Sequence, residues 1–286
     1  MDYLLIQSII QGLLTGGLYA AIGLGMSMIF GIVKLTNLAH GDFLILACYF
    51  SLLFMPIINN PIVTLVIVVP IMFFIGFGLQ RSLLNRVIGR GDEPPLLITF
   101  GISVIIQNLL LYIFTANAAK LHHPLLLTSI KLGDQIHIPV MWLIACLVGV
   151  GVILVLGFYL KNTYVGLAIR ATSDDTEAAQ LMGINIRATF GIAMGIAMIT
   201  AAVSGVFVGM LSPFYTSSGS NYLIIAFAVV VIGGIGSIYG TLAAGLIFGL
   251  ALTLGSHFTG PTFQQLFGYI ILLIMLVVRP QGLFQR

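Results

Sequence analysis

Apolar residues run through this chain in blocks too long for the core of a water-soluble protein. From Ala188 to Val278, 91 consecutive residues, there is no Asp, Glu, Lys or Arg. As one helix that stretch would reach roughly 137 Å at about 1.5 Å per residue, against a bilayer hydrocarbon core of about 30 Å, so it must cross more than once. Charge-free runs mark spans near residues 4–31, 43–58, 61–80, 94–116, 138–160, 188–211, 222–254 and 262–278. The runs are continuous rather than alternating, which predicts helices and argues against a β-barrel. The expected fold is a single all-α polytopic membrane domain over residues 1–286, with about eight or nine transmembrane helices.

Two places break the pattern. "GIVKLTNLAHGDFLIL" (31–46) interrupts two apolar runs with Lys34, Asn37, His40, Gly41 and Asp42. The run 222–254 is 33 residues long. That is roughly 50 Å as one helix, whereas even a 40° tilt uses only about 39 Å. "VIGGIGSIYG", with Gly233, Gly234, Gly236 and Gly240, supplies a break. Broken helices are therefore expected near residues 34–42 and 232–240. Such breaks are tolerated at membrane depth where they line a cavity or pack within protein, and they point to a transport path. Asn37, His40, Gly41, Asp42, Gly233, Gly234 and Gly236 become candidates for a translocation pathway or gate. The first group has a local alternative, in which Asn37 or Asp42 caps a helix starting at Phe43. Glycines also recur four apart, as in Gly12 and Gly16, Gly191 and Gly195, and Gly245 and Gly249. This spacing lets helix backbones approach closely in lipid, without saying which helix meets which.

Charge sharpens the topology. Only 7% of residues are charged, far below the roughly 25% of a soluble domain. Arg81, Arg86 and Arg90 fall in one loop, Lys161, Arg170 and Arg187 in another, and Arg279 and Arg286 in the tail. The positive-inside rule assigns all three to the cytoplasm, and assigns loop 117–137 and the N-terminus outside. A cytoplasmic C-terminus then calls for two crossings within 222–254, or a helix broken in the membrane. The net charge of +3 reports orientation and not nucleic-acid binding. Cys48 and Cys146 lie in apolar runs and read as small core hydrophobes. "MDYLLIQ" lacks a basic stretch and reads as the start of a mature span. His257 and Trp142 read as interfacial residues.

The chain has no G-x-x-x-x-G-K-[ST] loop, no H-E-x-x-H, no G-x-S-x-G and no pair of acids within a span. No catalytic, metal or cofactor site is expected on it, and a driving force would come from another polypeptide. One segment is set apart. "TSDDTEAAQLMG" (172–183) holds three acids and no base. It predicts a short amphipathic helix, with Ser173, Asp174 or Asp175 as N-cap. Asp174 in that role would put Glu177 in the capping-box position. Ala178, Ala179, Leu181 and Met182 supply an apolar face, and Gly183 the C-cap. Such a helix suits docking in another protein's groove, the competing reading being a plain solvated loop helix.

Glu177-Ala178-Ala179 followed by Gly183 fits E-A-A-x-x-x-G, the start of the EAA loop of ABC-importer permeases. The isoleucine and proline expected further on are not cleanly present. "GLAIRATSDDTEAAQLMGIN" (166–185), "GLGMSMIFGIVKLTNLAHGDFLILACYF" (23–50), "VVVIGGIGSIYGTLAAGLIFG" (229–249) and "RPQGLF" (279–284) together resemble the LivH-type permease of branched-chain amino acid ABC importers. The resemblance implies a subunit of the bacterial cytoplasmic membrane that forms a pore with a LivM-like second permease or a second copy of itself. Two cytoplasmic ATPases carrying the ATP would grip the loop 161–187, and an extracytoplasmic binding protein would deliver the amino acid. Arg170, Asp174, Asp175, Glu177, Ala178, Ala179 and Gly183 are the expected coupling residues. Arg170 could pair with an acid on the ATPase or only mark the inside face. Permeases for urea or short amides resemble this family too, and a self-contained facilitator or channel is the other alternative.

Overall fold

The computed structural model describes residues 2–89, 91, 93–132 and 136–284. Arg90 and Arg286, two of the basic residues used for orientation, lie outside the described residues. The helices are α1 (Asp2–Val33), α2 (His40–Ile58), α3 (Pro61–Ser82), α4 (Glu93–Phe114), α5 (Val140–Asn162), α6 (Tyr164–Asp174), α7 (Thr176–Leu181), α8 (Ile186–Leu211), α9 (Gly219–Gly233), α10 (Ile238–Thr259) and α11 (Gln264–Val278). A two-stranded antiparallel hairpin, β1 (Ser129–Leu132) and β2 (Ile136–Pro139), precedes α5. Among the described residues, eight helices are long and apolar enough to cross a membrane, and α9 is a shorter apolar helix. The chain is an all-α polytopic membrane protein, as the run lengths required.

The run 222–254 does divide. α9 ends at Gly233 and α10 begins at Ile238, so the segment turns back on itself, and α9, at 15 residues, is shorter than a spanning helix. α1 stands at the centre and pairs antiparallel with α10 along a seam of glycines. Gly16 meets the backbone of Gly245, and Gly249 meets Gly12 and Gly16. A Cβ at any of these positions would run into backbone. On another side, Gly17 of α1 and Gly149 of α5 make an equally close contact. α8 is buried along most of its length like α1, whereas α11 is almost entirely uncovered. Exposed Phe74, Phe100, Val155 and Val277 turn outward from the bundle, the arrangement expected where lipid replaces water as solvent.

The ends of α1, α3, α5 and α9 meet the starts of α8 and α10 at one end of the bundle. A buried cluster of Val33, Leu160, Ile169 and Phe190, with Ile88 and Ile186 packed against it, ties these termini together. Arg81, Arg86, Lys161, Arg170 and Arg187 belong to this same end, which we call the basic end. Loop 161–187, expected to hold one helix, holds two, because Thr163 caps α6 by accepting the Gly166 N–H at 3.1 Å.

Candidate functional site

Helix α7 hangs below the basic end, fixed at both termini by its own sequence. Asp175 is extended (φ −145°, ψ 106°), and its Oδ1 accepts the N–H groups of Glu177 at 2.9 Å and Ala178 at 3.0 Å. The cap is therefore Asp175, and Glu177 is not in the capping-box position that Asp174 would have given it. The reason is α6, which continues through Asp174 and leaves Asp175 as the residue that breaks the helix. At the other terminus Gly183 takes φ +84°. Its N–H donates to the Gln180 carbonyl, and that of Ile184 donates to the Ala179 carbonyl, both near 3.0 Å. This paired pattern satisfies carbonyls that a helix end leaves free.

The expected apolar face of α7 is split. Ala179 is buried against the bundle, while Ala178 and Glu177 face out with Asp174 and Asp175. Leu181 and Met182 are 88% and 84% exposed. They form an apolar tip with an acidic rim; both belong to the apolar face read from the sequence, though neither was among the coupling residues that the resemblance implied.

α6 links this tip to the bundle. Ser173 Oγ donates to the carbonyl of Gly31 at 2.6 Å. Arg170 donates to the Lys161 carbonyl at 3.2 Å and lines a cavity of about 170 Å³ with Met28, Gly31, Ser173 and Gly236. Its guanidinium thus braces α6 against α5 and is directed into the bundle. Gly233, Gly234 and Gly236 stand beside it. They form the turn between α9 and α10, with φ +97° at Gly234 and +77° at Gly236. Gly236 abuts Gly31, and Gly233 abuts Gly240. The tail seals this turn, as the N–H groups of Leu283 and Phe284 donate to the carbonyls of Ile232 and Gly233 at 2.9 and 3.1 Å. These glycines, expected at membrane depth, are a packing junction at the basic end.

Asn37, His40, Gly41 and Asp42 lie elsewhere. α1 ends at Val33 and Lys34 is exposed, yet His40 Nε2 donates to the carbonyl of Ile22 at 3.1 Å. Ile22 is about 16 Å back along α1 at 1.5 Å per residue. Six residues reach at most about 20 Å, so residues 34–39 double back into the bundle without forming helix, reversing at Lys34 (φ 56°) and turning at Leu38 and Ala39 into α2. Helix α2 then starts at His40 and not at Phe43, with Ala39 as its N-cap and no side-chain cap. Asn37 Oδ1 accepts the N–H of Ala39 at 3.0 Å, and Thr99 Oγ1 accepts that of Leu38 at 3.3 Å. The backbone of this re-entrant segment is thus served by side chains where water is excluded. Asp42 is not the cap either. It sits in the first turn of α2, where the helix dipole favours a carboxylate. Its Oδ1 accepts from Gln107 Nε2 at 2.9 Å, and its carboxyl lies against Gly219 at the start of α9. Gln107 also donates to Ser103 at 3.3 Å.

The structure therefore separates the candidates into two sites, a polar cluster within the bundle and a junction at the basic end. The first includes Thr99, Ser103 and Gln107 of α4, which the sequence did not single out because isolated polar residues inside an apolar run carry no pattern. The cluster offers hydrogen-bond donors and acceptors, and among the described residues no group of His, Cys, Asp and Glu is placed to hold a metal ion.

Residues 8–278 match the family described as branched-chain amino acid transport system / permease component. The chain belongs to this family. It is 28% identical to the high-affinity branched-chain amino acid transport system permease protein BraD of Pseudomonas aeruginosa over 305 aligned residues, covering 99% of this chain and 97% of BraD. It is 27% identical to the corresponding permease LivH of Escherichia coli K12, covering 98% of this chain and 96% of LivH. A more distant match is the fructose import permease protein FrcC of Rhizobium meliloti, 28% identical over 71% of this chain and 59% of FrcC. No solved structure matches. As a permease component, the family member has in α7 and the re-entrant segment the two features most unlike ordinary membrane-spanning helix.

Proposed function

We propose that this chain is the membrane subunit of an ATP-driven importer that carries branched-chain, aliphatic amino acids across the bacterial cytoplasmic membrane. Two separate ATPase subunits bind ATP and take α7 in their grooves. A LivM-like permease or a second copy of this chain completes the pore, and an extracytoplasmic protein delivers the cargo. The basic end faces the cytoplasm, with the C-terminus there and the N-terminus outside.

One observation carries this reading. Leu181 and Met182 are almost fully exposed on a short, doubly capped helix that lies outside the membrane-spanning bundle. Water is a poor solvent for such a tip, and a groove on another protein is a good one. Burying each side chain is worth about 1.5–3 kcal/mol, so replacing both with Asp weakens ATPase binding by at least about a hundredfold. The test is co-reconstitution with the ATPases, second permease and binding protein in proteoliposomes. Leu181→Asp with Met182→Asp is expected to abolish ATP-driven leucine uptake and ATPase co-purification, with the chain still in the membrane. Steady leucine flux through this chain alone would instead make it a self-contained facilitator.

The likeness to a fructose import permease favours a second reading of the cargo alone. The scaffold and its ATPase contact then serve chemically different solutes, selected by the binding protein. Uptake assays with leucine, urea and fructose in the reconstituted system separate these readings.

A further inference from the structure

Away from the cavity of Arg170, three exposed arginines of the basic end line one open cavity. Arg81 and Arg86 come from the end of α3 and the turn after it, and Arg187 from the start of α8. With Asn85 and Ile88 they line a space of about 560 Å³, with no carboxylate in its wall among the described residues. The wall is built and not merely crowded. Gln80 donates to Asn85 Oδ1 at 3.1 Å, and Asn85 Nδ2 donates to the carbonyl of Arg187 at 3.0 Å, fixing the end of α3 to the start of α8. Three cations sharing one cavity repel one another, and an anion supplied from outside relieves that repulsion.

What the anion is attached to follows from the next layer. The Arg81 guanidinium lies 5.9 Å from the Phe77 ring centroid. Phe77 in turn stacks on Phe73, with centroids 6.3 Å apart and planes at 18°. Both rings are seated on glycines of α8, Phe77 on Gly191 and Phe73 on Gly195, where any Cβ would strike them. Phe73 then forms one wall of an apolar groove of about 700 Å³ between α5 and α8, with Val152, Val155, Ile192 and Ile196. Cations, an aromatic ladder and an aliphatic groove follow one another from the end of the bundle into the membrane. Exposed Phe74 packs edge-on against Phe73 beside this path.

We propose that this is a binding site for an anionic phospholipid, its phosphate held by Arg81, Arg86 and Arg187 and an acyl chain lying in the groove beyond Phe73. Guanidiniums match phosphate oxygens in pairs, and basic pockets at helix ends on the cytoplasmic side attract anionic head groups. A soluble anion would use the arginines and leave the groove empty, and an acidic segment of the ATPase would have no use for it either. A neighbouring cavity shares Asn85, Ile88 and Arg187 and extends to Gln180 and Ile184 at the end of α7. The phosphate site therefore lies beside the end of α7.

The test uses the purified full-length chain in a neutral detergent, examined by native mass spectrometry with phosphatidylglycerol, phosphatidylcholine, glycerol phosphate or inorganic phosphate added. Phosphatidylglycerol is expected to be retained at least about tenfold more than phosphatidylcholine, since each basic residue near the head group contributes several-fold. The Arg81→Gln, Arg86→Gln, Arg187→Gln variant should lose that preference, and Arg86→Gln alone should lose part of it. Equal retention of the two lipids by the unaltered chain would overturn the proposal. So would displacement of phosphatidylglycerol by equimolar glycerol phosphate or inorganic phosphate, or an unchanged preference in the variants. If the triple variant fails to insert, the unaltered chain and Arg86→Gln still decide the matter.

Discussion

At the scale of single residues, Gly183 shows how a backbone angle ends a helix. A Cβ there would touch nothing within 4 Å, so side-chain space is not the constraint. The constraint is φ +84°, a left-handed conformation that costs a residue with a Cβ roughly 1–2 kcal/mol. Gly183→Val should loosen the last turn of α7 by that amount. Hydrogen exchange at Ala178–Leu181 is expected to quicken about tenfold, while the thermal midpoint of the whole chain stays within about 2 °C. Gly183→Asn should fall between the two, because Asn tolerates this region. Equal exchange rates in the Val and glycine forms would mean that the turn does not hold the helix. Gly183 was legible from the sequence because a glycine closing an amphipathic run has one common meaning. The choice among Ser173, Asp174 and Asp175 was not, since it depends on where the unforeseen α6 stops.

At the scale of elements, the membrane spans were legible because each is a single uninterrupted solvent problem. A run of apolar residues about as long as the bilayer is thick has few other fates. The glycine pairs were visible too, but their partners were not. Gly12 and Gly16 meet Gly245 and Gly249 only because α1 and α10 pack antiparallel, and no local signal sets that pairing. The re-entrant segment was half legible. Asn37, His40 and Asp42 marked a break, but its depth depends on the distance from Val33 back to Ile22, which is a tertiary quantity. Glycine chemistry gives a sharp comparison between elements. Gly16→Leu would drive a side chain into the backbone of Gly245 and Leu246, whereas Gly101 of α4 has open space around it. Forced overpacking costs about 1–3 kcal/mol or more. Gly16→Leu should therefore lower the melting temperature in detergent by several degrees or prevent folding, and Gly101→Leu should leave it unchanged. Comparable melting of the two variants would contradict the α1–α10 seam.

At the scale of the whole molecule, the proposed ATPase contact requires that a pull on α7 reach the membrane interior. The contacts form a short chain. α7 follows α6 with only Asp175 between them, Ser173 of α6 holds the carbonyl of Gly31 at 2.6 Å, and Gly31 abuts Gly236 in the α9–α10 turn. From there α1 runs to Ile22, where His40 and the start of α2 are held. Gly31 lies in the last turn of α1, where carbonyls have no partner within the helix, so the Ser173 hydroxyl supplies the missing donor. Ser173→Val removes that donor and leaves a carbonyl unpaired, at a cost of about 1–3 kcal/mol. The variant keeps Leu181, Met182 and both caps of α7, so its grip on the ATPases should be intact. In the reconstituted importer it is expected to bind ATPase normally and to hydrolyse ATP, while uptake falls about tenfold for the same hydrolysis. This separates it from the Leu181→Asp, Met182→Asp variant, in which the ATPases are lost altogether. If Ser173→Val instead transports at the full rate per ATP, then force enters the bundle by another route, and the Ser173–Gly31 contact only holds α6 in place.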